Sequence, residues 1–240
     1  MGNFRKVIAG LTVLCAGVFG LVSCNVDSEP IPFNAGLDVI IQDMKTDAGV
    51  KYSIVVYASA NNEIKSVKVT APGTAGKVYL LTATSDKQQF VYLPKTADYV
   101  SELPEKGDYT FEIISMNDEK ISGKDVVGAE KLAPITIKTA TMANHLLKTV
   151  WDKVPNASGY VVRFYSADKL EILFSSGVII DKAEYEFGAT TYGWATGKLP
   201  VVGTNYVIEL IGVKTETGVT IDKWSNLQFI TLDSKTIKWE

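Results

Sequence analysis

Cysteine is nearly missing from this 240-residue chain: there are two, Cys15 and Cys24, and none beyond residue 24. Over the remaining length no disulfide can staple the fold, no thiol can act as a nucleophile and no cysteine set can hold zinc. Histidine is scarcer still, with His145 alone. A histidine pair for a metal is thereby excluded, and a Ser-His-Asp triad would have a single candidate base. His145 lies in Met142-Ala143-Asn144-His145, which reads as a turn before a strand, where an exposed or capping role suits it. No serine sits in a Gly-x-Ser-x-Gly elbow, and no glycine-rich loop follows a strand pattern to cradle phosphate. Clustered cations are lacking too. With 24 Lys and Arg against 27 Asp and Glu the net charge is −3, so phosphate neutralisation, and with it nucleic acid as a partner, is not expected.

Long apolar runs are confined to one place. Arg5 and Lys6 precede an uncharged stretch from Val7 to Val22, 16 residues long. A membrane-spanning helix needs about 20, whereas a basic start, a shorter apolar stretch and a small-residue end make a secretory signal. Gly2 does not open a myristoylation motif, because Lys6 stands where Ser or Thr is required. The residues Leu21-Val22-Ser23-Cys24 resemble the lipobox of bacterial lipoproteins. That resemblance implies cleavage of residues 1–23, lipidation of Cys24, and attachment to the outer membrane on its periplasmic or cell-surface side. Residues 24–35 then form a lipidated, polar tether, in which Asp27 and Glu29 resemble the acidic export signals of some Bacteroidota. The mature part keeps 217 residues and, having lost two cations with the leader, a net charge of −5. With no disulfide, its stability rests on an apolar core that two domains of about 100 residues each can supply.

From Gly36 onward the pattern is of short strands. Ile64 to Val69 directs Ile64, Val67 and Val69 inward, with a bulge near Val67; Tyr109 to Ile113, Tyr206 to Leu210 and Leu227 to Thr231 alternate in the same manner. Turn residues interrupt at Ala60-Asn61-Asn62, Ala71-Pro72-Gly73, Asn117-Asp118, Pro155-Asn156 and Glu216-Thr217-Gly218. Strands at such spacing without a sustained helical period predict an all-β fold of two consecutive Greek-key sandwiches. One short helix, or else an irregular crossover, is expected between Ala97 and Leu103. The chain also repeats itself: Leu103-Pro104 to Gly107-Asp108-Tyr109 returns as Leu199-Pro200 to Gly203-Thr204-Asn205-Tyr206. Both copies resemble the tyrosine corner of Greek-key sandwiches, in which a tyrosine hydroxyl bonds back to the backbone. Tyr109 and Tyr206 are one sandwich length apart.

The second half resembles fibronectin type III. Trp151-Asp152-Lys153-Val154-Pro155-Asn156-Ala157-Ser158-Gly159-Tyr160 is similar to that family's B strand, turn and C strand, and the resemblance implies a core position for Trp151 and a core or edge-strand cap position for Trp224. The pattern departs from the family between Lys169 and Lys198, where room exists for an extra hairpin. Residues 36–132 look generically immunoglobulin-like, and Lys131-Leu132-Ala133-Pro134 marks the expected boundary with 133–240.

Sites of chemistry are few. Asn117, Asp118, Glu119 and Asp125 gather acids near a strand end, but the ordered loop of a calcium site is missing, so a hairpin turn is expected and no metal or cofactor. Asn156-Ala157-Ser158 spells a glycosylation sequon inside a structural turn. Paired carboxylates for a glycosidase leave no sequence trace, yet sandwiches this small rarely enclose the cleft such a pair needs. The best candidate ligand-binding segment is Ala189 to Gly197, where Tyr192 and Trp194 stand among Thr and Gly. Aromatic faces in a polar frame suit a sugar ring; the alternative is that both rings pack over the sandwich end. Tandem modules on a lipid anchor with no catalytic set resemble accessory surface lipoproteins of Bacteroidota. The resemblance implies a non-enzymatic binding or adhesion protein with a glycan or protein ligand, or else an assembly subunit that docks onto a larger outer-membrane complex through its sheet edges. In either case the first domain would be the spacer and the second would lie further from the membrane.

Overall fold

The computed structural model describes residues 31–73, 76–221 and 226–240; Cys24, Asp27, Glu29 and Trp224 lie outside them. The fold is all-β, as the alternation predicts. The first half holds β1 (Ala35–Thr46), β2 (Gly49–Ala60), β3 (Ile64–Thr70), β4 (Val78–Leu80), β5 (Thr82–Ala83), β6 (Gln89–Tyr92), β7 (Gly107–Ser115) and β8 (Lys120–Val127). The second holds β9 (Ile137–Ala143), β10 (Leu146–Trp151), β11 (Gly159–Ser166), β12 (Ile172–Ser175), β13 (Glu184–Gly188), β14 (Asn205–Thr215) and β15 (Leu227–Lys238). The bulge expected in β3 falls between Ile64 and Ser66, and it brings Ile64, Val67 and Val69 all into the core. The segment 97–103 is not a helix. Only a single 3₁₀ turn forms, at Thr96–Asp98. Beyond it Val100 and Tyr52 exchange both backbone hydrogen bonds, at 2.7 and 3.0 Å, so the sheet edge takes the backbone groups a helix would need.

Three sheets are built by the described residues. β4-β3-β7-β8 and β13-β10-β9 are separate, while β12-β11-β14-β15-β1-β2-β6-β5 runs continuously through both halves. The register places Val39 opposite Val56 and Ile41 opposite Ile54, aligns Ile41 with Phe229, and sets Ile208 against Phe164 and Leu210 against Val162. These residues line one face of the eight-stranded sheet. They form a single buried cluster with Val67, Val69, Tyr109 and Ile113 of one covering sheet and Leu147, Trp151 and Phe187 of the other. Both small sheets therefore lie over the same face, and the two sandwiches share a core layer. On the opposite face Ile40, Val55, Val161, Ile211, Val213 and Ile230 form a second, smaller buried cluster.

The halves are joined where β1 meets β15 in parallel, a ladder with two partner pairs, Ile41–Phe229 and Gln42–Ile230. Side chains of β1 extend it at both ends. Asp38 accepts the Leu227 N–H at 3.0 Å, and Asp43 accepts the Thr231 hydroxyl at 2.7 Å and the Leu232 N–H at 3.3 Å. Thr231 in turn accepts the Ile135 N–H at 3.0 Å, and Asp233 the Ile137 N–H at 2.7 Å. The connection around Lys131–Pro134 is thus tied down, with Leu132 and Ile135 buried. The sandwiches lie side by side in a staggered overlap, a different arrangement from a spacer carrying a separate second domain. Chain direction still separates two poles. The chain enters at the start of β1 and β15 ends beyond the finish of β1, about 50 Å further along the sheet at 3.3 Å per residue.

Candidate binding pole

The pole reached by the end of β15 is built mainly by the connection from β13 to β14, residues 189–204. Its first part is sewn onto the edge of β12: Ser175 N–H donates to Gly193 O at 3.0 Å and Ala195 N–H to Leu173 O at 2.8 Å. No extra hairpin fills residues 169–198; β12, β13 and this edge-binding segment occupy them. Gly193 is needed there. Its φ is +125°, and a Cβ would lie 2.4 Å from Ser175 O and 2.9 Å from the Phe174 ring. The second part is held by Trp239, whose carbonyl accepts Gly203 N–H at 2.7 Å and whose N–H donates to Thr204 O at 2.9 Å.

The two aromatic candidates part company. Trp194 is half-buried, with its indole N–H donating to Gly188 O at 3.0 Å. Its ring lies 5.2 Å from Phe174, 5.8 Å from Phe164 and 6.0 Å from both Phe187 and Trp239, as part of an aromatic cluster in the core. Tyr192, two residues earlier, is 98% exposed. Leu199, Val201 and Val202 on the same connection are 59%, 63% and 68% exposed. A braced loop that presents large apolar side chains to water is the composition of a contact surface. The sequence reading missed the aliphatic part of it, because Leu199 and Pro200 matched the corner motif and so read as structural. The clue was Val201-Val202, an apolar pair lodged between a proline and a glycine.

The corner tyrosines bond in opposite senses. The Tyr109 hydroxyl donates to Glu105 O at 3.1 Å, while the Tyr206 hydroxyl accepts Val201 N–H at 2.8 Å. Burial pushes the Tyr109 hydroxyl well above the usual phenol range. Trp151 is buried with its ring 5.4 Å from Tyr160, whose hydroxyl accepts Val154 N–H at 2.7 Å. Trp239 is also buried. His145 is exposed in the β9–β10 turn, its Nδ1 3.2 Å from Glu240 O. Asn117 and Asp118 form the β7–β8 turn, with Asp118 at φ +64° and paired to Lys65 at 2.6 Å. Asp125 has separated from them, and its Oδ2 accepts Val39 N–H at 2.6 Å instead. Among the described residues no three His, Cys, Asp or Glu side chains converge as a metal shell would require. Asn156 occupies its turn at φ +66°.

An open groove of about 560 Å³ runs beside β13, lined by Lys148, Lys182, Glu184, Tyr185 and Glu186. The Lys148–Glu184 ion pair spans it at 2.9 Å and raises the Lys148 ammonium above its ordinary range. Its polar lining contrasts with the apolar loop at the pole.

No helix among the described residues is long and apolar enough to cross a membrane. No protein-family model matches the sequence. No curated protein matches it either. Among solved structures it is similar to the BSP domain of a biofilm-associated protein, at 16% identity over 77% of this chain and 27% of that one, with a TM-score of 0.24. It is also similar to dimeric latent PorU from Porphyromonas gingivalis, at 12% identity over 78% of this chain and 18% of that one, with a TM-score of 0.27. The chain spans less than a third of either protein's length. Likenesses this slight carry no functional argument.

Proposed function

We propose that this protein is a non-enzymatic binding or adhesion lipoprotein, held at the outer membrane through Cys24, that meets its ligand at the β13–β14 pole. The observation that carries this reading is Tyr192, almost fully exposed on a loop fixed at both ends. The poles add to it: a tether ahead of β1 leaves the loop at the opposite end of the sheet, facing away from the anchored side. Tyr192 offers the flat apolar face that a sugar ring stacks on. Binding of the purified protein to a glycan array tests this: Tyr192→Ala abolishes the signal, and an array that shows no binding, or equal binding by the variant, overturns the glycan reading.

A second reading, docking onto a protein complex, is favoured by Leu199, Val201 and Val202. Aliphatic side chains pack against protein surfaces and add little to sugar recognition. Pull-down from solubilised outer membranes separates the two. A stoichiometric partner lost in Val201→Ser, Val202→Ser supports docking, and a protein recovered alone argues for a soluble ligand.

A further inference from the structure

Three acids from both halves of the chain meet at the seam between the sandwiches. Asp38 belongs to β1, Asp125 to β8, and Glu216 follows the end of β14. Asp125 accepts Val39 N–H and Asp38 accepts Leu227 N–H, so two of the carboxylates hold backbone groups at the junction. Glu216 is placed beside them by its backbone N–H, which donates to Asn226 O at 2.9 Å, one residue before Leu227. Asp38 Oδ1 is buried without a hydrogen-bond partner.

Compensating charge is scarce. Among the described residues none of the three is in an ion pair: Lys214, on the adjoining strand, pairs with Glu130 at 3.7 Å. Lys45, near the other end of the junction, reaches Thr136 Oγ at 2.7 Å and the Ile135 carbonyl. Across β2 the residue opposite Asp38 is Tyr57. Asp43, five residues along β1, is a further acid and is buried. Asp222 and Lys223 lie outside the described residues. A proton taken up by one member would relieve the repulsion within the trio.

We propose that Asp38, Asp125 and Glu216 form a proton-dependent latch: partly protonated, the trio holds β1, β8 and the β14–β15 hairpin together, and fully ionised, its repulsion opens the β1–β15 junction. The backbone ladder across the junction has two partner pairs, and Asp38 and Asp43 carry the side-chain hydrogen bonds from β1 to β15. Burial pushes the Asp38 carboxyl up to about 8, opposed by the Leu227 N–H and reinforced by the charges of Asp125 and Glu216. Burial and Asp125 likewise raise the Glu216 carboxyl. The transition therefore belongs to neutral and mildly alkaline pH.

Amide hydrogen exchange on the full chain, corrected for the intrinsic pH dependence of exchange, tests the latch. Between pH 6 and pH 9 the protection of the Val39, Leu227 and Leu232 amides is expected to fall at least tenfold, while the β9–β10 and β3–β7 ladders keep theirs. Asp38→Asn, which retains an acceptor for Leu227, removes the pH response. Should that variant fail to fold, Glu216→Gln, at a half-exposed position, serves instead and is expected to diminish the response. Protection that does not change with pH overturns the latch. So does a loss spread evenly over both sandwiches, or a response that survives the acid substitutions and vanishes in Lys223→Gln.

Discussion

The backbone N–H of Leu227 donates to the carboxylate of Asp38 at 3.0 Å across 189 positions of sequence. Asp38 has a native pKa of about 8 against an ordinary 3.8, raised chiefly by burial. Between those values the native state binds more protons than the unfolded chain, so unfolding free energy falls as pH rises from about 4 to about 8. One full proton corresponds to a slope of about 1.4 kcal/mol per pH unit. Asp43 is raised in the same direction by burial and adds to the decline. Urea midpoints taken from pH 5 to pH 8 are expected to drop steadily, and Asp38→Asn is expected to flatten the curve. Parallel profiles for the two proteins would refute the assignment.

Tyr192→Ala and Trp194→Ala are expected to separate binding from stability. The first removes an exposed ring and changes unfolding free energy by less than about 0.5 kcal/mol. The second opens a cavity among Phe164, Phe174, Phe187 and Trp239 and costs about 2 kcal/mol or more. Denaturant titration of both variants checks this, and equal costs would mean that Tyr192 packs after all.

Gly193→Ala forces a Cβ against Ser175 O at a backbone angle that side chains avoid. The expected result is a loss of more than about 1 kcal/mol together with release of the loop from β12. Limited proteolysis should then cut within residues 189–204, where the parent protein resists. A variant as resistant as the parent would show that the loop needs no such brace.

Strand positions were the most legible part of the sequence, because alternation reports directly which side chains leave water. The half-burial of β3 follows from that pattern alone, whereas the core position of Trp151 is what the resemblance to fibronectin type III implies. The junction could not be read in the same manner. β1 and β15 join through backbone groups and through Asp38 and Asp43, and aspartate in a strand gives no sign of its distant partner. The pole was half legible: Tyr192 and Trp194 stood out as aromatics among Thr and Gly. Only the geometry separates them, since Trp194 has an N–H that reaches Gly188 O and Tyr192 has no comparable anchor.

The two corner tyrosines are expected to differ on loss of the hydroxyl. Tyr109→Phe deletes a donor to Glu105 O from the more deeply buried of the two tyrosines and costs about 1 kcal/mol. Tyr206→Phe frees the N–H of Val201, an exposed residue that water can satisfy, and costs less. Thermal melts of the pair measure the difference; a larger loss at Tyr206 would reverse the ranking.

The pairing of β1 with β15 also sets the order of assembly. Of the described strands, β1 comes first, and it receives this neighbour only after β15 has been made. Until then β1 offers an open edge carrying Val39, Ile40 and Ile41, the kind of edge that captures other strands. So long a separation makes closure slow compared with the local hairpins around it. β1 therefore stays unpaired on that side until β15 has been made, and removal of residues 227–240 would leave that edge open.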